Sequence, residues 1–301
     1  MFSTGWDQRL RDPKPVEELI PGYIEKHCVA YLSGPGGLHK SRIAQHWGAC
    51  LHTAANLYGQ VVEQGTFIHV SYENGPDEDA RRQATLIRRL GLAPDALDDH
   101  IYCGWKGRSP LLIINEAADI APTELWEALE RKLHSIPGHK FIVFDSAYNV
   151  FAFAGNAKIN ETAVRRAIDW LDGKMAQLDA SGLMVMHPSQ AGIARGDNSG
   201  WSVAFVNAPR VRLAVKPVEG MDTAIELSVA KRNNTVRGAA RTLYWEDGML
   251  LPSNNADQER AINTACVDIA TSACNGHRSP GTGARTFRST ARQSRNRPAS
   301  G

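Results

Sequence analysis

The stretch Gly34-Pro35-Gly36-Gly37-Leu38-His39-Lys40-Ser41 decides the fold expected for this chain of 301 residues. An apolar run over 28–32 precedes it, and a helical pattern over 41–58 follows it. Strand, glycine-rich turn, Lys-Ser and helix is the layout of a phosphate-binding loop, where backbone N–H groups and a helix N-terminus face a phosphate chain. In such a loop Lys40 reaches the β- and γ-phosphates and the Ser41 hydroxyl binds Mg²⁺. We therefore predict a nucleotide site over 34–41 that also includes Arg42.

One residue of this loop departs from the usual pattern G-x-x-x-x-G-K-[ST], because His39 stands where the pattern has its last glycine. A β-carbon at that position forces an adjustment of a loop that wraps tightly around phosphate. We expect His39 to lower the rate of hydrolysis more than the binding of nucleotide. Its imidazole also offers a contact to phosphate or to a neighbouring subunit. An ordinary glycine-rich turn before a helix is the alternative interpretation of the stretch.

Asp145, Glu73 and His187 each follow a predicted buried strand. The three strands are the runs 141–144, 67–72 and 182–186. A carboxylate in the position of Asp145 can hold Mg²⁺ through water. Glu73 can orient the attacking water as a general base, and His187 can sense the γ-phosphate. Each residue also has a purely structural interpretation. Asp145 can cap a turn, Glu73 can be a solvent-exposed turn residue, and His187 can be a strand-end histidine whose hydrogen bonds are made within the protein.

Four cations lie at the ends of the later predicted strands, namely Arg210, Arg212, Lys231 and Arg232. In a ring of subunits, such cations can complete the active site of a neighbour, and an arginine finger is typically worth about 10³–10⁵ in rate. Arg210 is the strongest candidate because it ends a Gly/Ser-rich loop. A solvated strand end is the alternative for each of them.

The order of the predicted elements indicates the fold class. Strands alternate with helices up to about residue 210, and strands without long helices between them follow. This order predicts an α/β three-layer fold with a mainly parallel central sheet, extended by antiparallel strands at one edge. We expect an entry segment over 1–27, a nucleotide-binding domain over 28–252, and a linker with a basic tail over 253–301.

Composition narrows the cellular setting. The five cysteines are widely spaced, form no zinc motif and fit reduced thiols. The N-terminus lacks the apolar core of a signal peptide, and no apolar run approaches the roughly 18 residues of a membrane span. We therefore expect a cytoplasmic protein with no membrane partner. The net charge of +2 is uninformative, but the arginine-rich end after Asp268 can bind nucleic acid or be a disordered tail.

With these motifs in place, the chain resembles the RecA-like P-loop ATPases, and more narrowly the RepA-type AAA family proteins of plasmids and phages, over about residues 20–250. The segments that carry the resemblance are Ser33–Ser41 as Walker A, Ser71-Tyr72-Glu73-Asn74 with the catalytic base, Val143-Phe144-Asp145-Ser146 as Walker B, His187-Pro188-Ser189-Gln190 as the histidine sensor, Asn207-Ala208-Pro209-Arg210 with the arginine finger, and Lys231-Arg232-Asn233-Asn234 as a Lys-x-Asn segment.

The resemblance implies a Mg-dependent ATP hydrolase that forms a homo-oligomeric ring, expected to be a hexamer, and moves on single-stranded DNA as a replicative helicase or translocase. It implies that Lys40 and Ser41 hold phosphate and metal, that Glu73 and Asp145 serve the attacking water and the metal, and that Arg210 comes from the neighbour. Lys231 and Arg232 are expected near the nucleotide. Two alternatives remain open: an ATP-dependent regulator or loader of replication or recombination proteins, and a nucleotide-binding switch with little hydrolysis.

Overall fold

The apolar runs around the phosphate loop form the centre of a large sheet in the computed structural model, which describes residues 5, 15–104, 107–156, 160–188, 192, 204–234 and 240–252. All of these residues belong to one structural unit, Met1–Ser253. The predicted basic tail lies outside the described residues, as does most of the Gly/Ser-rich loop before residue 204.

The described residues contain the following regular elements. The strands are β1 Glu18–Ile20, β2 Ile24–Glu25, β3 Val29–Ser33, β4 Thr66–Ser71, β5 Ile101–Gly104, β6 Leu112–Ile114, β7 Ile120–Pro122, β8 Lys140–Asp145, β9 Phe151–Phe153, β10 Ala180–Met186, β11 Val211–Val218, β12 Met221–Arg232, β13 Arg241–Glu246 and β14 Met249–Pro252. The helices are α1 Lys40–Thr53, α2 Pro76–Leu90, α3 Glu124–His134, α4 Ala147–Val150, α5 Glu161–Gln177 and α6 Ala204–Asn207.

The main sheet has nine strands in the order β14-β13-β12-β11-β3-β10-β8-β4-β5. The six strands from β11 to β5 are parallel to one another. Strands β12, β13 and β14 continue the sheet beyond β11 as antiparallel hairpins. The predicted α/β fold, a mainly parallel sheet with a C-terminal antiparallel extension, is confirmed.

The central strands are buried on both faces, which makes the fold three-layered. In β3, Val29 and Tyr31 pack into one apolar cluster, which also contains residues of α3 and α5. Ala30 and Leu32, which alternate with them, pack into a second cluster with residues of α1. Because successive side chains of a strand point to opposite faces, this division places α1 on one side of the sheet and α3 and α5 on the other.

The described part of the entry segment contains a folded hairpin. Strands β1 and β2 pair antiparallel, and Leu19, Ile20 and Ile24 are fully buried against the α1 side of the core. The Arg232 side chain, only 4% exposed, forms ion pairs with Glu18 and Glu25 of this hairpin. Arg232 therefore anchors the hairpin to β12, and these contacts give no support to its predicted place at the nucleotide.

Helix α1 is shorter than predicted. The pattern over 41–58 predicts a helix that Gly59 ends, but α1 ends at Thr53. Ala54 takes a left-handed conformation and its N–H group bonds to the carbonyl of Cys50, which closes the last turn. Leu57 and Tyr58, which follow Ala54, still pack in the same apolar cluster as the helix. The Trp47 indole N–H also donates to the Tyr58 hydroxyl at 3.2 Å. Among the helices of the described chain, none combines the length and apolar character of a membrane span.

Candidate nucleotide site

Four neighbouring parallel strands bring the predicted site residues to one edge of the sheet. Strands β3, β10, β8 and β4 lie side by side, and their ends are aligned to within one residue: Met186 pairs with Ser33, and Val185 and Ser71 both pair with Asp145. We call the edge where these strands end the carboxyl edge, and the opposite one the amino edge. The phosphate loop, Asp145, Glu73 and His187 therefore all lie at the carboxyl edge.

The glycines of the phosphate loop serve different purposes. Gly34 lies so close to β11 that a β-carbon there would come within 2.3 Å of Val215 Cγ2, so only glycine fits. Gly37 has a φ of +80°, a left-handed conformation that favours glycine. A β-carbon on Gly36 or Gly37 would have no heavy atom within 4 Å, so this side of the loop is open for the approach of a ligand.

Lys40 is held against this loop. Its Nζ donates to the carbonyl oxygens of Gly34 and Pro35, both at 2.8 Å, and lies 3.5 Å from His187 Nδ1. Burial lowers the pKa of Lys40 to about 8, although Asp145 and Glu73 oppose the shift. The nearby carboxylates therefore do not fully compensate the cost of burying the ammonium group. An anionic phosphate chain would supply the additional negative charge.

Asp145 is the most deeply buried acid of the site. Its side chain is fully buried, and neither carboxylate oxygen has a hydrogen-bond partner among the described residues. Burial raises its pKa, while the His69 imidazole and the nearby Ser41 hydroxyl offset part of that shift. His69 Nε2 lies 4.0 Å from Asp145 Oδ2. A buried carboxylate of this kind, next to a hydroxyl group, is suited to a cation or its bound water.

Glu73 and His187 form a half-exposed pair above Lys40. His187 Nε2 lies 3.5 Å from Glu73 Oε1, and the other ring nitrogen faces Lys40. The His187 contact lowers the pKa of Glu73, and the hydrogen bond from Ser146 acts in the same direction. Glu73 is therefore ionised at neutral pH, as a general base must be. The structure brings the predicted base and the predicted sensor into direct contact.

His39, which stands where the usual loop pattern has glycine, adopts a backbone conformation that favours glycine. Its φ is 55° and its ψ is 26°, in the left-handed region. The imidazole stacks on Trp245 of β13, with ring centroids 4.2 Å apart. The predicted nucleotide ligand Arg42 lies over the same indole at 5.2 Å and donates to the carbonyl of Gly248 at 3.2 Å. Both side chains therefore turn toward the β13–β14 hairpin.

Arg210 and Lys231 lie at the amino edge. Val211 pairs with Ala30 of β3, three residues before Ser33, which places Arg210 at least about 10 Å along the strand direction from the phosphate loop. The Arg210 side chain is 59% exposed and its Nε lies 3.9 Å from Asp172 Oδ2. Lys231 Nζ donates to the carbonyls of Asn207 and Pro209 and so holds the turn that carries Arg210. Neither cation reaches the phosphate loop of its own chain.

Sequence reasoning missed a buried polar network behind Asp145. His69 Nδ1 lies 3.0 Å from Asp79 Oδ1, which also accepts a hydrogen bond from Gln45 at 2.7 Å. The second oxygen of Asp79 lies 3.6 Å from His100 Nε2. His69 is fully buried between Ile68 and Val70, and a titratable residue inside such an apolar strand is the signal that could have found it.

Comparison with known proteins gives a family and a fold for this chain. Residues 2–192, more than half of the chain, match the family described as AAA domain. The chain belongs to this family. No curated protein matches it. A solved structure described as a DnaB-like replicative helicase and its interactions with primase is similar, with a TM-score of 0.55 and 11% sequence identity. The similarity covers 82% of this chain and 66% of that one, and it shows a shared RecA-like fold.

Substitutions at position 39 of this AAA domain test the backbone strain. His39→Gly and His39→Ala both remove the stacking on Trp245, but only alanine keeps a β-carbon in the left-handed conformation. We expect the glycine variant to be more stable than the alanine variant by about 1 kcal/mol. Urea unfolding measures this difference. Equal stability of the two variants would show that the loop carries no such strain.

Asp79→Asn tests the buried network. Although burial opposes it, hydrogen bonds from His100 and His69 hold the pKa of Asp79 well below its usual range. A carboxylate whose pKa is lowered by folding stabilises the fold above its unfolded pKa of about 3.9, and this contribution is lost as the pH falls toward the folded value. We expect Asp79→Asn to cost about 3 kcal/mol at pH 7 and less below about pH 4.

The control for this measurement is Asp98→Asn, which changes an exposed aspartate of the same region. It should change the free energy of unfolding by less than about 0.5 kcal/mol at either pH. A loss for Asp79→Asn that is equal at pH 7 and at pH 3 would mean that the Asp79 charge does not contribute to stability.

Proposed function

We propose that this AAA domain protein binds and hydrolyses Mg·ATP at the carboxyl edge of its sheet, in a ring of subunits that moves on single-stranded DNA. The observation that carries the proposal is the meeting of Lys40, Asp145, Glu73 and His187 at the end of four adjacent parallel strands. The alternative interpretation, an ordinary glycine-rich turn before a helix, does not account for the presence of a buried lysine, a buried carboxylate and an ionised glutamate at the same edge.

The donor set fits Mg²⁺. The buried carboxylate of Asp145 has no hydrogen-bond partner in the described residues, and the Ser41 hydroxyl lies beside it. Oxygen ligands of these two kinds are those that Mg²⁺ takes in proteins, usually with several waters. Ser41 and Asp145 would hold the ion, which when bound neutralises charge on the phosphates.

The other residues have distinct roles in this proposal. Lys40 would exchange its bonds to the loop carbonyls for bonds to phosphate oxygens, and the added negative charge would raise its pKa. Glu73 would accept a proton from, or orient, the attacking water. His187 contacts both Lys40 and Glu73, so a change at the γ-phosphate can pass through it to the strand β10 and the loop that follows.

Arg210 can act only on a neighbouring subunit. Since it lies at the amino edge and is exposed, a ring that packs one subunit's amino edge against the next subunit's carboxyl edge would bring it to a nucleotide. We propose that Lys231, which holds the Arg210 turn, positions this finger. We propose that the ring is a hexamer of the RepA type that acts in plasmid or phage replication. The fold shared with a DnaB-like replicative helicase supports the role in replication.

A second candidate function is a nucleotide-dependent switch with little hydrolysis. The left-handed His39 and its stacking on Trp245 favour it, because they fix the loop in a conformation that a nucleotide would have to accept. In that case ATP binding would control assembly with replication or recombination proteins, as a regulator or loader does.

Steady-state ATP turnover separates these functions. We expect turnover that single-stranded DNA stimulates, and a loss of at least about 100-fold in Lys40→Ala and Glu73→Gln. Glu219→Gln, in the β11–β12 turn, is the matched control and should keep the wild-type rate. Tight ATP binding without turnover would overturn the motor and leave the switch, and turnover without strand separation would leave the regulator or loader.

Mixed rings test the role of Arg210. Arg210→Ala alone should lose about 10³-fold in turnover, and Lys40→Ala alone should be inactive. When the two variants are mixed and allowed to co-assemble, some sites combine an intact phosphate loop with an intact Arg210 from the neighbour, so part of the activity should return. Arg88→Ala, an exposed arginine of α2, should behave as wild type in the same assay. No recovery on mixing, with co-assembly verified by mass, would overturn the finger.

A further inference from the structure

Two histidines and an aspartate converge at the amino edge, away from the phosphate loop. His27 lies just before β3, His139 immediately precedes β8, and Asp179 immediately precedes β10. Because these three strands are neighbours in the sheet, the residues that precede them are neighbours as well. His27 Nε2 lies 3.1 Å from Asp179 Oδ1, and His139 Nδ1 lies 2.9 Å from the same oxygen.

The spacing of these atoms is that of ligands around one ion. One atom from each of the three side chains lies within 4.8 Å of the other two. In a tetrahedral zinc site with bonds of about 2.0–2.1 Å, neighbouring ligand atoms are about 3.3 Å apart. The two rings are nearly perpendicular, at 76°, with centroids 5.4 Å apart, so they approach Asp179 from different directions.

A buried serine orients two of the three residues. Ser181 is fully buried, and its Oγ accepts a hydrogen bond from the backbone N–H of His27 at 3.0 Å. The same oxygen lies 3.0 Å from His139 Nε2. A hydrogen bond on the ring nitrogen that does not bind metal is the usual support of a histidine ligand, since it fixes the ring and leaves the other nitrogen facing the ion.

His139 is the most buried member of the cluster. Its side chain is 6% exposed, whereas the side chains of His27 and Asp179 are 41% and 56% exposed. The fold therefore fixes the His139 ring between Asp179 and Ser181.

We propose that His27, His139 and Asp179 bind a zinc ion at the amino edge of the sheet, with water in the fourth position. Two imidazoles and one carboxylate favour Zn²⁺ over Mg²⁺, which prefers oxygen ligands. The ion would join the starts of β3, β8 and β10, three strands whose opposite ends carry the phosphate loop, Asp145 and His187. Its role is structural, and it does not depend on the proposed ATPase function.

Metal titration of the full chain tests this site. The metal-free protein is titrated with ZnCl₂ by calorimetry, and with CoCl₂ by visible absorption, in excess Mg²⁺. We expect one ion per chain and the absorption of four-coordinate Co²⁺. His27→Ala and Asp179→Asn, which change exposed residues, should each weaken binding by at least about 10-fold. Ser181→Ala, which removes the support of both histidines, should weaken it by about 10-fold as well.

Two controls localise the ion. Asp99→Asn removes the carboxylate from the His52–Asp99 pair, which has a distance of 2.6 Å but is not part of the three-residue cluster, and zinc affinity should stay unchanged. Asp145→Asn should also leave zinc binding unaltered, which separates this site from the one for Mg·ATP. Absence of one-to-one binding, or binding that survives both His27→Ala and Asp179→Asn, would overturn the proposal.

Discussion

The parallel pairing of β3, β10, β8 and β4 is the constraint on which the rest of the structure depends. Parallel strands have all their carboxyl ends at one edge, so whatever follows each strand is brought together with the residues that follow its neighbours. The register pairs of Ser33, Ser71 and Asp145 fix this alignment to within a residue. Burial of both faces of β3 by two separate apolar clusters makes a slip in register costly, because it would exchange the two faces.

The protein stabilises the charge of Asp145, the most deeply buried acid of the site, only in part. Asp145 is a buried carboxylate without a hydrogen bond in the described chain, and such a group is costly to desolvate. His69, which lies 4.0 Å away and is held by Asp79, and the Ser41 hydroxyl offset part of the effect of burial on the Asp145 pKa. The network from His69 to His100 thus holds a polar environment inside an otherwise apolar layer. A bound cation would stabilise such a carboxylate. The two Asp145 oxygens without a hydrogen-bond partner in the described residues therefore support the Mg²⁺ proposal.

The sequence predicted the elements whose signal is local, and the structure supplied what depends on distant contacts. Buried strands that end in a polar residue predicted strand-end positions for Asp145, Glu73 and His187, and the structure brings these three residues to one edge. The end of α1 was missed because Ala54, not a glycine, takes the left-handed conformation. The pairing of Arg232 with the β1–β2 hairpin joins residues more than two hundred positions apart, and no spacing rule reveals it. The three residues of the amino-edge cluster, His27, His139 and Asp179, are likewise too far apart in the chain to form a motif.

The two edges of one sheet impose a direction on any ring. Lys40 and Arg210 are separated along the strands, so the carboxyl edge of a single chain lacks only Arg210 from the proposed catalytic set. If two subunits met through a two-fold axis, each would present the same patch to the other. For an amino edge to meet a carboxyl edge in such a dimer, both sites would have to be buried in one closed interface. A head-to-tail interface in the proposed ring would place one Arg210 at each phosphate loop, and it would repeat from one subunit to the next. Such an interface requires an exposed arginine on a turn that is held in place. Arg210 is exposed, and the hydrogen bonds of Lys231 hold its turn.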